Sequence, residues 1–164
     1  MTRNFDMSIK YTLLLIFILL TACATAPNFE TKNIDHSLTP EKVINAFSSH
    51  REKLVIWGGT ILEVRNLKDK TQIEILAYPL NESHRPMTDE KALGRFMILY
   101  PGYLESTQYA AGKQLSVLGK VSGIQSGNIG ESQYTYAVIN ANKIHLWSAT
   151  ETKTFFHFGI GIQM

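Results

Sequence analysis

The sequence predicts a mainly β domain, a small barrel of five to six strands with a short helix before it, carried behind a secretory leader. Three observations predict it. Apolar residues crowd into the first two dozen positions and end at the single cysteine. Behind them come five runs rich in β-branched and aromatic residues, several with alternating polarity. A short segment suited to a helical turn separates the third run from the fourth. With 164 residues, 45% hydrophobic and 18% charged, the chain is neither disordered nor collagen-like. One cysteine excludes a disulfide scaffold. Sixteen Lys and Arg against 14 Asp and Glu, net +2, give no electrostatic reason to expect nucleic acid.

The leader comes first. Arg3 and Lys10 precede an apolar core, Tyr11 to Leu20, that ends in Thr21-Ala22-Cys23. A membrane-spanning helix needs about 20 apolar residues, so this core is too short to span. Asp6 is out of place in a positive head, and Met7 offers a second start. Leu20-Thr21-Ala22-Cys23 resembles a bacterial lipobox, in which the signal peptide (1–22) is cut before the cysteine and the thiol carries diacylglycerol. The competing reading is an ordinary signal peptide with an incidental cysteine. On the lipobox reading Cys23 is an anchor to outer-membrane lipid rather than a nucleophile, because several acyl chains at about 0.8 kcal/mol per buried CH₂ hold a protein stably. Ala24 stands where the bacterial sorting rule reads the absence of Asp as export to the outer membrane.

Residues 23–38 read as a lipidated tether: polar, with Pro27 and no periodicity. The single domain predicted behind it spans 39–147. Thr39 as N-cap and Pro40 at the first helical position open a helix running to about Ser49, with Val43, Ile44 and Phe47 as its apolar stripe. The first strand is Leu54 to Val64, with a bulge or bend at Gly58-Gly59. Asn66 to Lys70 makes a hairpin loop, and Thr71 to Ala77 alternates as the second strand. Pro79 to Leu93 is a long polar loop with a solvent-facing tip. Gly94 to Tyr100 forms the third strand, and Pro101-Gly102 stops it.

Tyr103 to Tyr109 suits a short helical turn, followed by a fourth strand, Gln114 to Ile124. There Gly119 and Gly123 share a face where backbone bends or approaches closely. A glycine-containing turn, Gln125 to Glu131, leads to the fifth strand, Tyr134 to Trp147, bent near Asn140 to Asn142. This element order is that of an OB-type barrel, with a two-sheet sandwich as the alternative. The tail, 148–164, is rich in Phe, Gly and Ile. Phe156, Phe158, Ile160 and Ile162 fall on one side of an extended chain, as a further strand on the barrel or as a segment that docks on a partner, a membrane or a second copy.

Trp57-Gly58-Gly59, Gly94-Arg95-Phe96, Pro101-Gly102-Tyr103-Leu104, Tyr109-Ala110-Ala111-Gly112 and the alternating Val117, Gly119, Val121 and Gly123 occur in order. Ile129-Gly130-Glu131 with Tyr134 and Tyr136 follows. With the lipobox, these blocks resemble the Slp family of outer-membrane lipoproteins, founded on a starvation-inducible member. The resemblance covers Cys23 to about Trp147. It implies attachment through Cys23 to the periplasmic side of the outer membrane and supplies no catalytic residues.

Signatures of chemistry are sparse. Gly-x-Ser-x-Gly and a phosphate-binding Gly-x-x-x-x-Gly-Lys-Ser/Thr are both missing. His36, His50, His84, His145 and His157 show no metal-ligand spacing, so no metal and no cofactor is predicted. Glu63, Glu74, Glu105 and Glu131 fit solvated strand ends better than a catalytic pair. An aromatic set, Trp57, Tyr103, Tyr109, Tyr134 and Tyr136 with Tyr100, is the candidate binding surface, since aromatics on an OB-type barrel stack on sugars or bases. The competing reading places most of them in the core. The function expected is non-catalytic: binding of an envelope protein or glycan, or envelope structure. An enzyme acting on periplasmic saccharides or peptides is the alternative.

Overall fold

A computed structural model describes residues 27–29 and 32–148. The signal peptide, Cys23 and the tail positions Phe156, Phe158, Ile160 and Ile162 lie outside the described residues. Five strands, β1 (Leu54–Asn66), β2 (Lys70–Ala77), β3 (Arg95–Pro101), β4 (Gln114–Ile129) and β5 (Ser132–Leu146), close a barrel in the order β1-β2-β3-β5-β4. All pairings are antiparallel except β3 with β5, which runs parallel from Phe96 opposite Ala137 to Leu99 opposite Asn140. This is the OB-type arrangement; the closed ring excludes the two-sheet sandwich.

Alternation builds the interior. Ile73, Ile75 and Ala77 of β2 face Phe96 and Ile98 of β3 and Val117, Val121, Ala137 and Ile139 from β4 and β5 in one buried cluster. Each large aliphatic or aromatic side chain so buried contributes about 1.5–3 kcal/mol. A helix pair covers one barrel opening. Helix α1 (Pro40–Asn45) starts as predicted, with the Thr39 hydroxyl accepting from the Lys42 amide at 3.3 Å. The single helix to Ser49 is instead broken at Ala46 (φ −143°, ψ 47°), and α2 (Phe47–His50) follows in a new direction. The break lets α1 pack on β5 with Val43 fully buried while α2 meets β4.

At the end of β1 marked by Asn66, Leu104 enters the core. Its amide donates to Thr71 Oγ1 at 3.1 Å and its carbonyl accepts from Asn66 Nδ2 at 3.1 Å. The short helical turn expected within Tyr103 to Tyr109 is present at its C-terminal part, where the Gln108 and Tyr109 amides both donate to the Glu105 carbonyl at 3.0 Å. Leu104 enters the core with Tyr100 and Tyr109 packed against it, while Val43 of α1 joins the same core from the N-terminal side.

Three strand features differ from the sequence reading. The bulge in β1 lies at Leu62, where the register with β2 shifts, not at Gly58-Gly59. The glycines serve another need. Gly59 pairs with Ala77 on one side and Leu115 on the other, and a Cβ there would lie 1.9 Å from the Leu76 carbonyl oxygen. Gly119 and Gly123 do not share one role: a Cβ on Gly119 would meet the Asn140 carbonyl at 2.5 Å, whereas one on Gly123 meets nothing within 4 Å. Finally, the Gln125 to Glu131 turn is mostly strand. β4 continues to Ile129, pairing Gln125 with Tyr136 and Asn128 with Gln133, and only Gly130-Glu131 turn. The irregularity expected near Asn140 to Asn142 is present, since Gly119 faces Ala141 while Leu118 faces Lys143.

Candidate functional site

Within the stretch read as a tether, Phe29 and Leu38 pack on the barrel. Phe29 is 5% exposed and packs with Ile56 and Leu118 on the outer face of β1 and β4, while Leu38 reaches the main core. The segment then forms one wall of a cleft of about 680 Å³, the size range of small-ligand sites. Ile56, Trp57 and Gly58 of β1 make its floor, His36 to Pro40 one wall, and Tyr78 to Glu82 with His84 the other. Apolar groups line the depth and His36, Thr39, Asn81, Glu82 and His84 bring polar atoms to it.

The second wall is the loop predicted to be a solvent-facing tip. Its tip, Asn81 to Ser83, is exposed as expected, and the turn behind it is tied to the barrel. Asn81 Oδ1 accepts from the amides of Ser83 and Arg85, both at 3.0 Å, and Leu80 bridges to Pro86. This turn holds His84 at φ 61°, a left-handed conformation uncommon for a residue with a side chain. Trp147 Nε1 donates to Ser116 Oγ at 2.9 Å, and that buried hydroxyl donates to the His84 carbonyl. The His84 ring meets Phe29 edge to face at 5.7 Å. Burial, and to a lesser degree the nearby His36, push its pKa below the ordinary imidazole value, so the ring favours the neutral form.

The aromatic set does not converge on one surface. Trp57 is 5% exposed, its indole N–H donates to the Leu38 carbonyl at 2.8 Å, and its ring meets Phe96 at 5.1 Å. It belongs to the core and forms the cleft floor. Tyr109 packs against the same core with Tyr100, and burial raises its phenol pKa. Tyr134 and Tyr136 contact each other at 4.8 Å on the outer face, with Met97 and Val138. Tyr136 is 1% exposed and donates to Glu74 Oε1 at 3.2 Å, while the Tyr134 hydroxyl accepts the Arg95 amide at 3.0 Å. Burial first, then the Glu74 carboxylate, raises the Tyr136 pKa. Arg95 Nη1 also bonds Glu74 Oε1, at 2.7 Å. Tyr103 alone of the set stands well exposed, at 69%.

The sequence reading missed the cleft-forming residues His36, Leu80, Asn81, Glu82 and His84. The Asn81-Glu82-Ser83-His84 turn signal was visible, but its contact with β4 was not. Among the described residues, no group of three or more His, Cys, Asp or Glu is placed to hold a metal ion.

The described domain is a closed five-stranded barrel of OB-type order, and a lipobox-like cysteine precedes it in the sequence. The chain belongs to the outer membrane lipoprotein Slp family, whose model matches residues 20–159. That match runs beyond Trp147 and takes in Phe156 and Phe158. Over 159 residues the chain is 25% identical to the "Outer membrane protein Slp" of Escherichia coli, covering 91% of this chain and 82% of that one. It is 27% identical over 138 residues to the "Uncharacterized lipoprotein YeaY" of the same organism, covering 82% and 69%. An "Uncharacterized protein" of Haemophilus influenzae is 31% identical over 101 residues, 61% of this chain but only 55% of that one. The protein is an outer-membrane lipoprotein.

Proposed function

We propose that the protein is a non-catalytic binding module, held by acylated Cys23 on the periplasmic side of the outer membrane and produced under starvation or stress. Its occupant is an envelope component, a protein segment or a glycan, seated in the cleft over Trp57. The observation that carries this reading is the cleft itself: an apolar floor fixed by the barrel, a polar rim, and a wall pinned through Ser116 and Trp147. Such a site is preformed, and binding needs no ordering of its walls. The names of the relatives point the same way, since they record an address and a lipid rather than a reaction.

A photo-crosslinking residue at Glu82, on the rim, tests the proposal in living cells. The expected result is one adduct of defined mass, absent when the crosslinker stands at Asp69 and lost with Leu80→Asp. Equal labelling from Glu82 and Asp69, or an adduct indifferent to Leu80→Asp, would falsify the cleft as the binding site.

A further inference from the structure

The chain between Cys23 and the barrel is short, because the barrel grips it early. Lys143 Nζ donates to the Asn28 carbonyl at 2.6 Å and lies 6.0 Å from the Phe29 ring, which is buried against Ile56 and Leu118. Further on, the Asp35 amide donates to the Leu54 carbonyl at 3.3 Å. Fixed at Asn28, the chain reaches Cys23 over at most about 18 Å even when fully extended. The cysteine lipid sits at the edge of the hydrocarbon, and the polar headgroup layer takes up about 5–8 Å of that reach. The barrel surface beside Asn28 is therefore held within about 10–13 Å of the headgroups, close to one Debye length at moderate salt.

We propose that the outer face of β1, β4 and β5 around Phe29 lies against the anionic headgroups of the leaflet that holds Cys23. This rests on the reading of Cys23 as acylated. Lys120 and Lys143 are exposed on this face, at register positions opposite Leu54 and Leu118, and present positive charge to it. Lys53 borders it, with Glu52 beside it. At that range each basic residue strengthens attraction to an anionic surface by about fivefold. The β1–β2 hairpin loop, at the other end of β1, points away. Because His84 both lines the cleft and touches Phe29, the cleft opens close to the headgroup layer.

The test uses the processed full chain in vesicles of phosphatidylethanolamine with phosphatidylglycerol, containing a headgroup spin label as quencher. Acylation occupies the only native thiol, so Lys120→Cys or Asp69→Cys gives a unique site for a fluorophore. Quenching at position 120 should exceed that at 69 several-fold. It should fall when phosphatidylcholine replaces phosphatidylglycerol, and again when Phe29→Ser frees the segment. Equal quenching at the two positions overturns the orientation, and indifference to the lipid exchange overturns the electrostatic contact. Mass spectrometry of the same sample separates the premises. Acylated Cys23 with uniform quenching overturns this proposal alone, whereas unacylated Cys23 overturns the anchor reading with it.

Discussion

Gly59 and Gly123 are both strand glycines, yet the barrel makes opposite demands on them. A methyl at Gly59 would collide with the Leu76 backbone at 1.9 Å, so Gly59→Ala should cost about 3 kcal/mol or more in urea unfolding. Gly123→Ala, with nothing within 4 Å, should stay within about 0.5 kcal/mol of the native chain. Trp57 carries a buried hydrogen bond as well as area. Trp57→Phe leaves the Leu38 carbonyl without its donor, at a cost of about 1–3 kcal/mol. At His84 the folded state disfavours the proton, mainly through burial. The unfolded chain therefore binds more protons once the pH falls below the ordinary imidazole value. The stabilisation is whole above about pH 6.5 and declines as pH falls through the folded pKa. His84→Gln should flatten the stability profile across that window, and His145, shifted the same way by burial and Lys143, should leave a smaller residual slope.

At the scale of elements, the N-terminal segment and the β4–β5 arm are the two places where local chemistry gave way to packing. Ala24 to Leu38 has no periodicity, and within it Phe29 is buried through contact with Ile56 and Leu118 on the outer face, while Leu38 joins the main core. Phe29→Ala should lower stability by about 2–3 kcal/mol and expose residues 32–36 to hydrogen exchange. A segment that is merely a tether would show neither effect. In the arm, Gln125, Ser126, Gly127 and Asn128 are poor strand formers taken singly. They extend β4 because each pairs with a residue of β5 whose position is already set by the barrel. Alternation at Ile73, Ile75 and Ala77 was legible, by contrast, because one face of β2 is core along its whole length.

At the scale of the whole molecule, anchor and barrel are separable. Cys23→Ser should abolish incorporation of radiolabelled palmitate and move the protein out of the outer-membrane fraction, with the unfolding midpoint of the barrel unchanged. Retained label would show that the lipid is carried elsewhere. The family and the succession of strands along the chain were legible in the sequence by itself: short blocks of contiguous residues carry the first, and alternation at every second residue carries the second, so both are local. The N-cap at Thr39 and the irregularity near Asn142 were equally local. The tertiary structure alone decided which aromatics are core, that Phe29 docks, that β4 runs to Ile129, and that a cleft forms between His36 and His84. These depend on the pairing of β4 with β5, of β3 with β5 and of β1 with β4, most of which bring together residues far apart in the chain. No short-range pattern encodes such contacts, because whether a side chain at Trp57 points into a core or a cleft is fixed only when the ring of strands closes.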